Sequence, residues 1–132
     1  MQRLALVVVE AKSGIVFTHP GSRSADGDAS LPSGNVHDDE TPEQAAERLV
    51  VEQTGLTVEL TERLIEFEQE GTPFGAALMT GFVARVSGGE LREGDEGPPT
   101  IHEIDDLPAI IPVRVANQRV LAAYLASRGT GS

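Results

Sequence analysis

The stretch that decides the fold of this protein is Leu31–Leu56, which reads LPSGNVHDDETPEQAAERLVVEQTGL. Thr41 stands directly before Pro42, and Gln44 follows three residues after Thr41. A threonine and a glutamine at this spacing form a capping box, and proline is favoured at the first helical position. Gly55 supplies the residue type that most often ends a helix. The pattern predicts a helix of about three turns between Pro42 and Gly55.

Strand patterns precede this helix. The run Leu4–Val9 is apolar and rich in β-branched residues, which is typical of a strand buried on both faces. A second apolar run, Gly14–Phe17, follows after a short link, so the two runs predict a hairpin. Residues 19–30 contain Gly, Pro, Ser and Asp without an apolar period, which indicates an exposed loop.

Strand patterns also follow the helix. Residues 57–86 read as strands interrupted by a turn at 71–73. Residues 90–99 are acidic and rich in glycine and proline, which predicts a loop, and residues 101–104 fit a short strand. Residues 113–125 carry apolar side chains at the spacing of one helix face. The sequence therefore predicts a second helix near its end.

The order of hairpin, helix, strands and helix predicts an α/β fold in which helices pack on the faces of a mixed sheet. A chain of 132 residues is long enough for one buried core and too short for two ordinary domains. We expect a single domain over residues 1–128 and a disordered tail at residues 129–132.

The chain is strongly acidic, with 10 Lys and Arg against 21 Asp and Glu and a formal net charge of −11. A surface of this sign repels nucleic-acid backbones and anionic lipid headgroups, so we expect neither a nucleic-acid nor a membrane partner. Acidic residues concentrate in residues 38–70, where only Arg48 and Arg63 oppose them. Such a cluster has two physical explanations, a solvated face or a site for a hard cation.

The sequence contains no cysteine. This excludes disulfides, thiolate metal sites and cysteine nucleophiles. The first apolar run is too short for the core of a signal peptide or for a membrane span. We therefore expect a soluble, cytoplasmic protein.

The stretch quoted above also resembles the sequence motif of the Nudix (MutT-like) hydrolase family. That motif is a glycine, five residues, a glutamate, seven residues and then Arg-Glu-aliphatic-x-Glu-Glu-x-Gly-aliphatic. This chain matches it without a gap over residues 34–56, at Gly34, Glu40, Arg48, Val50, Glu52, Gly55 and Leu56. The likeness extends outward to the first strand and to the acidic loop and Asp-Leu-Pro run near the end of the chain. The resemblance implies the family's α/β/α sandwich, with a mixed sheet between helices.

The resemblance also implies a chemistry. In the family, three acids at positions i, i+3 and i+4 of the helix converge on one face and hold Mg²⁺ or Mn²⁺ against the diphosphate of a substrate. The cation orients the phosphates and activates a water molecule. The implied activity is hydrolysis of a nucleoside diphosphate linked to another group, so the implied partner is a small-molecule nucleotide derivative. Family members are often dimers, which leaves a homodimer open.

Two of the three acid positions are altered in this chain, where Leu49 and Gln53 stand in place of glutamates and only Glu52 remains. Leucine has no ligating atom, and a hard cation accepts a neutral amide oxygen less readily than a carboxylate. The metal ligands that the resemblance implies are the Gly34 carbonyl, Glu52, Gln53 and, from the acidic loop, Glu96. Glu52 and Glu96 are the implied catalytic residues.

The remaining candidates have supporting or substrate-binding roles. Glu40, Arg48 and Gly55 are the intact scaffold of the motif, and the resemblance implies that they brace the loop onto the helix. His37 and Arg23 are candidates for contacts with substrate phosphate, with a solvated side chain as the alternative for each.

The sequence leaves two functions open. The first is a Nudix-type, metal-dependent hydrolase that is slow and binds Mg²⁺ or Mn²⁺ weakly, because two motif carboxylates are replaced. The second is a catalytically impaired Nudix-fold binding module for a nucleotide, a metabolite or a protein partner. The second is motivated by losses that fall on Leu49 and Gln53 while the scaffold residues remain.

Overall fold

The computed structural model describes residues 2–19, 30–72, 75–92, 99–103 and 115–127. The predicted opening hairpin, central helix and final helix are confirmed. In chain order the elements are β1 (Gln2–Ala11), β2 (Gly14–Phe17), β3 (Ser33–Asn35), α1 (Pro42–Thr54), β4 (Leu56–Thr72), β5 (Gly75–Gly89), β6 (Thr100–His102) and α2 (Val115–Ser127).

Within the described residues, six strands form one mixed sheet in the order β4-β5-β1-β2-β6, with β3 also paired to β1. β1 and β5 run parallel, and the other strand pairs are antiparallel. β2 pairs with the end of β1, where Val9 faces Val16, whereas β3 pairs with its first half, where Ala5 faces Gly34. The central strand therefore places the start of the family-like motif beside the middle of the sheet.

The two described helices, α1 and α2, cover opposite faces of this sheet. Alternate residues of β1 point to opposite sides, as the period of a strand requires. Ala5, Val7 and Val9 belong to a core that includes Ala45, Ala46, Leu49 and Val50 of α1. Leu6 and Val8 belong to a second core that includes Val120, Leu121 and Tyr124 of α2. The expected α/β/α sandwich with a mixed sheet between helices is confirmed, as is a first strand buried on both faces.

Several strand ends differ from the sequence prediction. β4 runs through the expected turn to Thr72, which pairs with Gly75 of β5. β5 continues past residue 86 to Gly89, because Gly88 and Gly89 stay paired with the start of β4. Glycines and polar residues weaken a strand pattern, yet backbone pairing with a long neighbour keeps them in the sheet.

The two ends of the predicted exposed loop at residues 19–30 are buried, which the sequence pattern did not predict. Ser30 pairs with Thr18 through two backbone hydrogen bonds of 2.8 and 2.9 Å. His19 is 2 % exposed, and its Nε2 lies 2.9 Å from the hydroxyl of Thr100 in β6. Local composition could not show that these polar residues have partners on a distant strand.

Parts of the predicted organisation lie outside the described residues. These parts are residues 20–29, 93–98, 104–114 and 128–132, together with residues 73–74. Neither described helix is long and apolar enough to cross a membrane.

Candidate functional site

Both ends of α1 are capped by the residues that the sequence indicates. At its start, Thr41 Oγ1 accepts a hydrogen bond from the Gln44 N–H at 3.1 Å, and Gln44 Oε1 accepts one from the Thr41 N–H at 2.9 Å. At its end, Gly55 has a φ of 79° and donates to the Val51 carbonyl at 3.0 Å. A Cβ on Gly55 would lie 2.4 Å from the Glu90 carbonyl oxygen, so both conformation and space require glycine. The predicted caps are confirmed.

Arg48 joins the loop before α1 to the helix through all three of its guanidinium nitrogens. Nε donates to Glu40 Oε2 at 3.2 Å and Nη2 donates to Glu40 Oε1 at 2.7 Å, which is the two-pronged geometry that favours arginine over lysine. Nη2 also donates to the Asn35 carbonyl at 2.8 Å, and Nη1 donates to Glu52 Oε1 at 2.7 Å. The guanidinium is therefore committed to the scaffold.

Glu40 is held as a carboxylate by this arrangement. The hydrogen bonds from Arg48, followed by the one from the backbone N–H of His37, lower the pKa of Glu40 from 4.5 to about 2. The same pairing with Glu40 raises the pKa of Arg48 further above its ordinary value. The pair thus stays ionised throughout the physiological range, and its charges neutralise one another.

Leu49 lies on the face of α1 that packs against the sheet. Its side chain is 5 % exposed and belongs to the same core as Val7 and Val36. A Cβ on Gly34 would lie 2.7 Å from Leu49 Cδ2, so the leucine fills the space beside the β3 backbone. Position 49 thus contributes hydrophobic packing.

Gln53 lies one helical turn later and is 6 % exposed. Its Oε1 accepts a hydrogen bond from the Ser33 N–H at 3.1 Å, and its Nε2 donates to the Ser33 carbonyl at 2.8 Å. We call this pair of hydrogen bonds the amide clasp. It joins the last turn of α1 to the first residue of β3, and it uses both polar atoms of the glutamine side chain.

Glu52, the acid that remains of the three helix positions, borders open space with a side chain that is 51 % exposed. It lines a shallow groove of about 390 Å³ beside α1 and the start of β4. Val51, also partly exposed, and Val58 contribute apolar surface to the same groove. A carboxylate at this place can accept hydrogen bonds from a ligand or pair with a cation.

A family model described as the NUDIX domain matches residues 1–124 of this sequence. The chain belongs to the NUDIX domain family. This agrees with the motif at residues 34–56 and with the sandwich fold. No curated protein matches the sequence significantly.

Solved structures with this fold include several NUDIX proteins. A NUDIX hydrolase from Nitrosomonas europaea superposes with a TM-score of 0.80 at 19 % identity, over 96 % of this chain and 89 % of that one. The NUDIX domain of NrtR from Shewanella oneidensis, complexed with ADP ribose, gives 0.76 at 14 % identity, over 96 % and 87 %. An ADP-ribose pyrophosphatase from Streptococcus suis gives 0.72 at 19 % identity, over 97 % and 92 %. These identities establish a shared fold.

The described residues of this NUDIX chain do not fit the cation that the motif implies. Of the three helix positions, Leu49 is packed in the core, and the Gln53 carbonyl oxygen already accepts from Ser33. Glu52 supplies the one carboxylate of the three and is bonded to Arg48. In the described part of the chain, no group of three or more His, Asp and Glu side chains is placed to hold a metal ion.

Of the other residues of the predicted site, the structure describes Gly34 and His37 but not Arg23 and Glu96. Gly34 lies in β3 between the amide clasp and Asn35, and its cation role stays a prediction. His37 is exposed, and its Nδ1 lies 3.8 Å from Glu40 Oε1, so it stands beside the scaffold. Glu96 and Arg23 lie outside the described residues, and their roles also stay predictions.

Sequence reasoning missed Ser33 and Asn35 as parts of this NUDIX site. Both act through backbone atoms, which any residue type supplies, so their side chains carry no signal. The available signal was the glutamine at position 53, because a buried amide needs a donor and an acceptor of its own. Ser33, beside Gly34 at the start of β3, meets both needs with one peptide backbone.

Proposed function

We propose that this NUDIX protein binds a nucleotide derivative containing a diphosphate and that its hydrolytic activity is impaired. The observation that carries the proposal is the state of positions 49 and 53. One holds a core leucine, and the other holds an amide whose two polar atoms are bonded to Ser33. The family's chemistry would use a carboxylate at each of these positions.

The electrostatics support the loss of activity. Three carboxylates at positions 49, 52 and 53 would give the helix face a formal charge of −3, whereas this chain retains only the −1 of Glu52. A divalent cation binds oxygen ligands, with carboxylates the strongest among them. Removing groups that ligate a metal or act in catalysis costs orders of magnitude in affinity or rate. We therefore expect hydrolysis to be slow or absent.

The preserved scaffold supports ligand binding. Glu40 and Arg48 keep their two-pronged bond, and Gly55 keeps its cap, so the loop and helix retain their arrangement. Two fold relatives support this choice of ligand class, since one is complexed with ADP ribose and another is an ADP-ribose pyrophosphatase. In the groove, the apolar surface of Val51 and Val58 suits an uncharged part of this ligand, since the carboxylate of Glu52 repels a diphosphate unless a cation lies between them.

A second candidate function is the slow, Mg²⁺- or Mn²⁺-dependent hydrolysis that the motif implies. The observation that favours it is the half-exposed carboxylate of Glu52 at the groove. Under this proposal Glu52 would ligate the cation together with the Gly34 carbonyl and Glu96, and Gln53 would join them only by giving up its hydrogen bond from Ser33. Glu52 and Glu96 would then carry the chemistry.

Binding and turnover, measured side by side, distinguish the two proposals. A panel of nucleoside mono- and diphosphates, ADP-ribose and related diphosphates would be titrated by calorimetry and assayed for products with Mg²⁺, Mn²⁺ or EDTA. Binding without products supports the first proposal, because a ligand that binds the folded state also raises its apparent stability. Products that appear only with a cation support the second. If the panel shows no binding and no products, both proposals are overturned.

Variants sharpen this comparison. Glu52→Gln removes the charge of the groove carboxylate at nearly constant size. Under the second proposal it lowers turnover by at least about tenfold. Glu59→Gln makes the same change at an exposed position of β4 and is the matched control. If both variants retain the wild-type rate, Glu52 is not the catalytic group.

A further inference from the structure

The amide clasp holds together two elements that the rest of the site depends on. Ser33 and Gln53 are twenty positions apart in the chain, and the clasp is formed by two hydrogen bonds of 2.8 and 3.1 Å. The chemistry fixes the direction of the amide, because the Ser33 N–H needs an acceptor and the Ser33 carbonyl needs a donor. Glutamine supplies both, whereas glutamate at the same place supplies only acceptors.

We infer that the amide clasp replaces a bound cation in this chain. Beside a glutamate at position 53, a cation would be needed to hold β3 against α1. The clasp holds the two elements together without any metal. A carboxylate in this position would face the Ser33 carbonyl oxygen with no proton between the two. Such a pair is stable only with a positive partner, for which a hard divalent cation is suited. The Nε2–H of Gln53 supplies that positive partner internally.

The surroundings support this inference. Gln53 is 6 % exposed, so an unpaired charge there would be poorly solvated. Leu49, one turn earlier on the same face, presents methyl groups toward Gly34 and offers no oxygen. The position is therefore closed to a cation while the glutamine is present, and it is ready to accept one when a carboxylate replaces the amide. This inference concerns what holds the site together and goes beyond the proposed function.

A single substitution tests the inference by stability alone. We expect Gln53→Glu to lower the Tm in EDTA by about 5–10 °C, since it turns one hydrogen bond into a repulsive contact. Mg²⁺ or Mn²⁺ should recover most of that loss in a saturable way, because a cation that binds only the folded state stabilises it. Acidification should also narrow the difference in Tm between the variant and the wild type at the same pH, because protonation restores a donor to the side chain.

The chain provides a matched control in the same helix. Gln44→Glu makes the same change from glutamine to glutamate. A glutamate at that position still completes the capping box. We expect this variant to keep the wild-type Tm and to show no specific response to Mg²⁺ or Mn²⁺. A general effect of added negative charge would appear in both variants and would overturn the inference.

The wild-type protein keeps the inference testable if Gln53→Glu does not fold. The expected result is that its Tm is the same in EDTA and in millimolar Mg²⁺ or Mn²⁺. The signal of free Mn²⁺ in electron paramagnetic resonance should likewise report no tight site. A tight Mn²⁺ site in the wild type that Gln53→Met abolishes would overturn the inference, as would a folded Gln53→Glu variant whose Tm ignores both cations. None of these measurements depends on nucleotide binding or turnover, so this inference can fail separately from the proposed function.

Discussion

Gly34 and Leu49 share one small space between β3 and α1. A Cβ on Gly34 would lie 2.7 Å from Leu49 Cδ2, which is closer than real Cβ atoms approach a neighbour. The absence of a side chain at position 34 therefore lets the strand lie against a leucine that is 5 % exposed. The position where the motif has an acid has become part of the core.

Gly34→Ala should destabilise the protein through overpacking. The added methyl group forces Leu49 or the β3 backbone to move, which costs about 1–3 kcal/mol in the free energy of unfolding. Urea unfolding followed by circular dichroism measures the change. Gly88→Ala is a suitable control, because nothing lies within 4 Å of a Cβ at that glycine.

A double-mutant cycle shows whether the two residues interact directly. Leu49→Ala alone should cost about 2–5 kcal/mol, because it leaves a cavity in the core. In its presence the cost of Gly34→Ala should shrink, so the two effects should fall short of additivity by more than about 0.5 kcal/mol. Additive effects would show that the glycine is needed for another reason.

The carboxylate of Glu40 should make stability depend on acid pH. Its pKa is lowered from 4.5 to about 2 in the folded protein, mainly by the hydrogen bonds from Arg48. A lowered pKa gives a stabilisation that is fully present above about pH 4.5 and is lost as the pH falls toward 2. Unfolding curves between pH 5 and pH 2 should therefore show a decline that Glu40→Gln reduces.

The comparison needs a variant with the same change at an exposed carboxylate that lies nearby on α1. Glu47→Gln alters an exposed carboxylate of this helix and should leave the decline as it is in the wild type. At pH 7 Glu40→Gln should already be less stable, since Arg48 loses one of its two charged partners and keeps only Glu52. If stability declines equally steeply in Glu40→Gln and in the wild type, other carboxylates cause the decline.

The architecture could be predicted from sequence because it rests on local signals. The cap residues around α1 act within a few positions of one another, and the apolar run of β1 carries its own burial pattern. Strand ends were less accurate because pairing partners decide them. Thr72 and Gly89 belong to the sheet because each pairs with a residue of the other strand in the antiparallel pair of β4 and β5. Nothing in their own residue type shows this.

The site could be located but not fully interpreted from sequence. The spacing of Glu40, Arg48 and Gly55 drew attention to three residues that form an ion pair and a helix cap in the structure, and their role in the site stays a prediction. The substitutions at 49 and 53 are visible in the sequence, yet what they do depends on a strand that lies fifteen to twenty residues earlier in the chain. Leu49 reads only as a missing ligand until its contact with Gly34 is seen. Gln53 reads as a weaker ligand until its bonds to Ser33 are seen.

Tyr124 should contribute to stability through its hydroxyl group. The side chain is fully buried, and its hydroxyl donates to Glu10 Oε2 at 2.7 Å, which ties α2 to the end of β1. Tyr124→Phe removes this bond to a charged acceptor at almost constant shape, and we expect a loss of about 1–2 kcal/mol in urea unfolding. Glu10→Gln keeps an acceptor and should lose less. Wild-type stability in Tyr124→Phe would show that the bond contributes nothing.

The pair of substitutions that distinguishes this chain from its family motif can be reversed. Leu49→Glu combined with Gln53→Glu adds two carboxylates beside Glu52 and so restores the set of three, and a divalent cation can then bring them together with a diphosphate. We expect hydrolysis at least about tenfold faster than in the wild type with Mg²⁺ or Mn²⁺, measured on the same diphosphate panel.

The same variant should be less stable than the wild type in EDTA, because it places two acids where the protein now has a core leucine and a bonded amide. Leu49→Gln combined with native Gln53 is the control, since it adds polarity at position 49 without a carboxylate and should gain no activity. If the wild type already turns over the panel as fast as the restored variant, carboxylates at positions 49 and 53 are not what the chemistry of this chain requires.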